Sequence, residues 1–399
     1  MMRDILFLAH RIPYPPDRGD KIRSWHVLRH LSTLARVHLA CFADDERDAA
    51  HLPALRAALG DRLGEVHVEV RTRSKVAAGA IALVEGRPVS LALFDSPKLR
   101  AFAGRKLADE AIGTVFAFSG QMGQFVPEGV RQRFVMDFGD VDSAKFAQYA
   151  DEGAGPMRWV HRREGDKLAA FERAVAARAD LCLFVSEAEA ALFRGRTGLA
   201  NIRALSNGID VDHFSPAADF PRLEQGERPL LLFTGQMDYP PNAEAVAWFA
   251  RAVLPLIPGA RFVIAGRDPP PAVRALAGER VIVTGAVADM RSWLAAADVI
   301  VAPLKLARGI QNKVLEAMAM AKPVVASPAA FEGIEAVPGR DLLVAGDAAA
   351  TAAAVKSLLE APGAIGAAAR RRMEQGYRWE ARLAPLAAMV DPSRRREAA

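Results

Sequence analysis

Within ten residues, the run Ala307-Arg308-Gly309-Ile310-Gln311-Asn312-Lys313-Val314-Leu315-Glu316 gathers two cations, a glycine and a carboxylate. It lies between two short apolar runs, 299–303 and 323–326, so these residues fall at the end of one expected strand and in the first turns of a helix leading to the next. A helix start offers free amides and the positive end of the macrodipole. With Arg308 and Lys313 beside it, such a turn suits an anion of two or more charges, a diphosphate above all. Lys313 and Glu316 are three residues apart and share a helical face. Two readings stand for that pair: a surface ion pair worth about 0.3–0.5 kcal/mol, or a carboxylate free to accept both hydroxyls of a ribose.

Other residues at expected strand ends carry chemistry of their own. Gly19, Gly208, Gly235, Gly266 and Gly285 each follow or close an apolar run. One such glycine is a turn residue; their recurrence implies backbone approaching a ligand. Asp137, Asp140 and Asp142 end another run, which invites a general-base or metal reading beside the ordinary one of turn and N-cap chemistry. Asp142, next to Ser143, is best placed for a base. Ser119 and Gln121 can hydrogen-bond sugar hydroxyls or simply open a helix. No Gly-x-Gly-x-x-Gly, Walker loop, His-Glu-x-x-His or nucleophile elbow is present, which argues against hydride transfer, kinase chemistry, zinc hydrolysis and a covalent serine nucleophile.

The elements that must position these residues alternate. Apolar runs at 4–9, 37–43, 66–70, 114–118, 134–137, 181–185 and 202–205 are separated by helix-like or irregular segments. Ile22, Trp25, Leu28, Leu31 and Leu34 form one helical stripe, and Ser186-Glu187-Ala188-Glu189 has capping-box spacing. A Pro-rich, charged segment follows at 216–229. A second series then occupies 230–234, 262–265, 281–284, 299–302 and 323–326, with helices expected from near Asn242, Met290, Gln311 and Ala348. Short apolar strands buried on both faces imply parallel α/β sheets. The chain therefore reads as two doubly wound domains in tandem, 1–215 and 230–375, with a linker at 216–229 and a C-terminal helix and tail at 376–399 that can return to the first domain. Ligands of such sheets bind at the strands' carboxyl ends, and two sheets facing across a cleft place the site there.

Composition agrees. The 399 residues are 51% hydrophobic and 25% charged, enough for two cores. Net charge is +5 and evenly spread, with 29 basic against 26 acidic groups in residues 1–200, which disfavours a nucleic-acid arm. Two distant cysteines, Cys41 and Cys182, suit a reducing cytoplasm. The arginines at 158, 162, 163, 370–372 and 394–396 read as solvated helix faces, with a peripheral contact at the inner face of a membrane as the alternative.

Leu315-Glu316-Ala317-Met318-Ala319 followed by Lys322-Pro323-Val324-Val325 resembles the signature helix of group 1, family four retaining nucleotide-sugar glycosyltransferases. So do Asn207-Gly208-Ile209-Asp210 and the run from Phe233 through Gln236 to Asn242. More narrowly, Asp140-Val141-Asp142-Ser143, Tyr239-Pro240-Pro241-Asn242 and Gly309 to Lys313 resemble bacterial exopolysaccharide sugar transferases associated with exosortase (PEP-CTERM) systems. The resemblance implies a GT-B fold and a nucleoside diphosphate sugar as substrate, with no cofactor and no metal. The acceptor would be a glycan or a lipid-linked sugar, and the anomeric configuration would be kept. It gives Glu316 the ribose, Gly309 the diphosphate or sugar, and Gly19 the loop approaching donor and acceptor. The donor-binding set expected is Gly19, Asn207, Gly235, Gln236, Gly266, Val287, Gly309, Ile310, Gln311, Lys313 and Glu316; the catalytic set is Arg308, Lys313, Glu316 and Asp142. Two departures stand out. The family has a glutamate where this chain has Arg308, and an Arg and a Lys in the loop where it has Gln236 and Tyr239–Asn242. Arg308 and Lys313 are therefore expected to take over the diphosphate. Rival readings are a nucleotide-sugar epimerase of the same fold and a binding protein that has lost catalysis.

Overall fold

The computed structural model describes residues 2–153, 155–224, 226–307 and 309–391. Expected residue Arg308, and the arginines at 394–396, lie outside the described residues. The chain divides into two compact units: Met1–Ser206 joined by the chain end from Leu383, and Asn207–Arg382.

The first unit is one parallel sheet in the order β3-β2-β1-β4-β5-β6-β7. Its strands are β1 (Asp4–Ala9), β2 (Val37–Ala43), β3 (Leu63–Val70), β4 (Ile112–Phe118), β5 (Arg133–Gly139), β6 (Leu181–Phe184) and β7 (Ile202–Ala204). The central strands β1, β2 and β4 are buried almost throughout, as expected where helices cover both faces. The helix Gly19–Leu34 packs its Trp25, Leu28 and Leu31 inward, and also buries Arg23. That guanidinium is fixed by the carboxylate of Asp137 at the end of β5, with Nε 3.0 Å and Nη2 3.1 Å from its oxygens, and by the carbonyl of Leu205 at 2.8 Å. Asp137, one of the expected acidic cluster, is thus a structural partner. Ser186 caps the helix Glu187–Thr197 through the Glu189 amide. The Glu189 carboxylate accepts from the Val141 amide at 2.6 Å, so its reach is spent across the fold on the loop after β5.

The second unit is a parallel sheet in the order β10-β9-β8-β11-β12-β13. Its strands are β8 (Leu230–Thr234), β9 (Arg261–Ala265), β10 (Val281–Gly285), β11 (Val299–Ala302), β12 (Val324–Ala326) and β13 (Leu343–Val344). This is the dinucleotide-fold order, with its switch point between β8 and β11. The two-residue β13 is absent from the sequence expectation, because two apolar residues carry no period.

The break between the units falls at Ser206/Asn207, not in the linker expected at 216–229. The reason is close packing. Gly208 lies so near the backbone of Tyr377 and Trp379 that a Cβ would sit 2.7–2.8 Å from three of their backbone atoms, and the Ile209 amide donates to the Tyr377 carbonyl at 2.7 Å. These contacts hold 207–215 and the Tyr377 region in one body. From Leu383 the chain joins the first unit, where the Thr114 hydroxyl donates to the Val390 carbonyl at 3.2 Å and Arg133 Nε to the Met389 carbonyl at 2.6 Å.

Replacing Asp137 with alanine leaves Arg23 buried without its carboxylate, which is expected to cost about 3–5 kcal/mol of folding free energy. Urea unfolding of D137A beside wild type checks this; a loss under about 1 kcal/mol contradicts the pairing.

Candidate functional site

In the second unit, the chain leaves β8 and β11 toward opposite flanks, and the loops that follow open the crevice of the switch point. After β8 the backbone runs through Gly235 and Gln236 into the helix Pro240–Trp248; after β11 it runs through Gly309, Ile310 and Gln311 into the helix Asn312–Ala319. One side chain joins the two. Lys313 Nζ donates to Asn242 Oδ1 at 2.6 Å, and Asn242 Nδ2 donates to the Gln236 carbonyl at 2.8 Å. The ammonium also lies 4.1 Å from the centroid of the Phe233 ring on β8. Asn242 and Phe233 lie in the run that carries the resemblance but were not among the expected site residues, since neither shows a spacing relation to Lys313, 71 positions from Asn242 and 80 from Phe233.

The adjoining glycines are dictated by crowding. Gly235 and Gly266 close the ends of β8 and β9, and a Cβ on Gly266 would fall 1.7 Å from the Gly235 carbonyl oxygen. Successive loops are laced by backbone bonds, Gly235 to the Ala265 carbonyl at 3.1 Å and Gly266 to the Gly285 carbonyl at 3.0 Å. Val287 sits two residues beyond Gly285 on the same edge, half-buried. Asn207 reaches the helix start, with Nδ2 3.4 Å from Asn312 Oδ1, and Gln311 Nε2 donates to the Gly309 carbonyl at 3.4 Å. Gly309 has φ +63°, a left-handed turn residue just before the helix, and Ile310 is buried. The structure therefore brings Asn207, Gly235, Gln236, Gly266, Val287, Gly309, Ile310, Gln311, Lys313 and Glu316 to one edge of one sheet.

The ion-pair reading of Lys313 and Glu316 is not what forms. Among the described residues no ion pair joins them, and Lys313 is satisfied by a neutral amide and an aromatic face instead. Burial pulls the Lys313 ammonium down to about 7 against the opposing pull of Glu316. Burial likewise pushes the Glu316 carboxyl up to about 7, and Lys313 only partly offsets it. The recess thus holds one amine and one acid, each shifted toward neutrality by burial and only partly offset by the other.

In the first unit, Gly19 opens its helix inside a network at the carboxyl ends of β1, β2 and β3. Asp44 accepts from Arg11 Nε at 2.9 Å, Arg18 Nη2 at 2.6 Å and Arg71 Nη2 at 2.9 Å. Asp20 accepts from Arg11 Nη1 at 2.6 Å and contacts His10 Nε2 at 3.0 Å. Burial opposes ionisation of Asp20, but His10, Arg11 and Arg18 hold it well below the usual carboxylate range. Asp142 begins the helix Asp142–Glu152 on the same edge and pairs with Lys145. Its neighbour Asp140 is pushed up to about 7 by burial and then by Glu189. Ser119 donates to Gln121 Oε1 at 2.9 Å. Among the described residues no group of three His, Cys, Asp or Glu is arranged to hold a metal ion.

Residues 228–361, within the second unit, match the family described as glycosyl transferases group 1. The match spans about a third of the chain. Solved structures share the architecture over the whole chain. Sucrose-phosphate synthase from Thermosynechococcus elongatus is 18% identical, with 100% of both chains covered and a TM-score of 0.71. Anabaena HepE in complex with UDP-glucose is 14% identical, with 98% of this chain and 100% of that one covered and a TM-score of 0.69. WaaG, a glycosyltransferase involved in lipopolysaccharide biosynthesis, is 16% identical, with 97% and 99% covered and a TM-score of 0.66. No curated protein matches by sequence. The fold is GT-B, two parallel-sheet α/β domains.

The raised Glu316 pKa has a definite consequence for stability. The folded state holds that proton from the ordinary 4.5 up to about 7, so folding is penalised progressively as pH rises through this window. Glu316→Gln removes the titration. The stability of wild type relative to E316Q is expected to fall between pH 4.5 and 7 and then level off; parallel urea-unfolding profiles across that range would refute the buried carboxyl.

Proposed function

We propose that this protein is a group 1 glycosyltransferase that moves a sugar from a nucleoside diphosphate sugar onto a glycan or lipid-linked acceptor in exopolysaccharide synthesis, with retention of the anomeric configuration. The observation that carries the reading is Lys313, held by Asn242 and the Phe233 ring at the switch point of the group 1 domain and left without a carboxylate partner among the described residues. A departing diphosphate would supply the missing counter-charge, and its development in the transition state is what a pre-placed cation and a helix start stabilise. Glu316, one helical turn further on, takes the ribose hydroxyls. Gly235 and Gly266 let backbone approach the phosphates, while Asn207, Gln236, Val287, Gly309, Ile310 and Gln311 line the remainder of the donor. Gly19 and Asp142 belong to the acceptor side.

The acceptor oxygen bonds to the anomeric carbon as the carbon–oxygen bond to the diphosphate breaks, and the acceptor proton passes to the departing phosphate oxygen. This assignment draws no protein nucleophile and no metal into the reaction. The exopolysaccharide role is supported by the resemblance carried by Tyr239–Asn242 and Gly309–Lys313. UDP-glucose, held by HepE, is the first donor to test.

The test is release of free nucleoside diphosphate from a panel of nucleotide sugars, with and without membrane extract. Acceptor-dependent release is expected. Conversion of the sugar without release would indicate epimerisation, and binding without turnover across the panel would indicate a non-catalytic binder. K313A is expected to lower kcat/KM by about 100-fold or more, the scale for loss of one transition-state charge contact. Asn242→Ala, which only releases the lysine, should cost less. An unchanged kcat/KM in K313A ends the assignment.

A further inference from the structure

The first unit carries an apolar surface that the donor chemistry does not use. On the helix Lys75–Val84 the inward residues are Ala78 and Ala82, which pack with Ala92. The outward residues are Val76, Ala77, Ala80, Leu83 and Val84, an i, i+1, i+4, i+7, i+8 stripe with no polar member. Val76 is 84% and Val84 89% exposed. A solvent-facing helix normally turns charge outward on this stripe; here the pattern is inverted.

A second exposed apolar stretch adjoins it. Met157, Trp159 and Val160 begin the helix Pro156–Arg178, and Trp159 is 61% exposed. The two helices are locked together. Arg163 Nη2 donates to the Ala82 carbonyl at 2.7 Å. Glu164 accepts from the Val89 amide at 2.7 Å and the Ser90 amide at 3.0 Å. Trp159 and Val160 lie one turn before Arg163 and Glu164, hence on the side facing the first helix. Six of the large exposed apolar side chains of this unit thus share one rigid platform.

Charge selects the occupant. Segments 73–87 and 156–167 contain seven Lys and Arg (Arg73, Lys75, Arg87, Arg158, Arg162, Arg163, Lys167) against three acids (Glu85, Glu164, Asp166). Arg87 pairs with Glu85 and Asp95, Arg162 with Asp151, and Glu164 accepts from backbone amides, while Arg73, Lys75, Arg158 and Lys167 form no ion pair among the described residues. A second copy docked patch to patch would bring like charges together. A bilayer surface with anionic headgroups meets both features at once: aliphatic side chains and an indole enter the interface, and the flanking cations face phosphates. Among the described residues no helix is long and apolar enough to cross a membrane, so the contact is peripheral. We infer that Val76, Leu83, Val84, Met157, Trp159 and Val160, with their flanking Arg and Lys, form a docking face for an anionic lipid bilayer. The inference stands on this surface alone and holds whichever donor or acceptor the enzyme uses.

Co-sedimentation of the full chain with vesicles of phosphatidylcholine alone, or with a third phosphatidylglycerol, tests it. Binding is expected to the anionic vesicles, with a blue shift of Trp159 emission that W159F abolishes, and to weaken in high salt. V76D/V84D should weaken it by at least about tenfold, because two aliphatic insertions are replaced by two anions facing anionic lipid. These side chains are exposed, so the variant's thermal melt and its donor turnover with a soluble acceptor should match wild type. Recovery of wild type in the supernatant with both vesicle types, or undiminished binding by V76D/V84D, overturns the inference. So does light scattering that shows a dimer which V76D/V84D dissociates.

Discussion

An ammonium group desolvated against the face of Phe233 and steadied by a single neutral amide is the constraint around which the second unit is organised. Burying a cation costs free energy unless opposite charge is close. Lys313 lacks a carboxylate partner among the described residues, and its lowered pKa expresses that cost. The first unit resolves the same problem differently. Arg23 is matched to Asp137, and Arg11, Arg18 and Arg71 converge on Asp44. The contrast locates where charge has been left uncompensated, at the switch point of the second sheet.

The supporting shell is made mostly of backbone. A Cβ on Gly266 would collide with the Gly235 carbonyl and one on Gly235 would crowd the Asn242 and Lys313 side chains, and the amide-to-carbonyl lacing from β8 through β9 to β10 keeps those loops in register beyond the sheet. Asn242 then couples this laced edge to the helix after β11, since its amide bonds both Gln236 and Lys313. The crevice is therefore bounded by two loops whose separation is set by hydrogen bonds that do not depend on a ligand. The inverted helix at Lys75–Val84 is the opposite kind of feature, a local rule broken on the surface without any internal contact that requires it.

Much of this was legible in the chain. Apolar runs at 4–9, 37–43, 230–234 and 299–302 coincide with strands β1, β2, β8 and β11, because a strand buried on both faces needs little more than consecutive apolar residues. The helix after β11 begins one residue past the expected Gln311, and the capping serine at 186 is in place. What failed did so for want of local signal: β13 is two residues long, and the unit boundary at Ser206/Asn207 depends on Gly208 touching Tyr377 and Trp379.

Local patterning by itself determined two parallel α/β units, the loops at their strand ends, and a lysine and a glutamate one turn apart at a helix start. It could not determine whether those two charges satisfy each other, because helical spacing brings side chains within reach without saying what else competes for them. Only the tertiary structure settled that Lys313 turns to Asn242 and Phe233, whose helix and strand arrive from another part of the chain, and that Glu316 is left to the low-dielectric recess. Periodicity is a property of neighbours along the backbone, whereas desolvation and partner choice are properties of whatever folding packs against them.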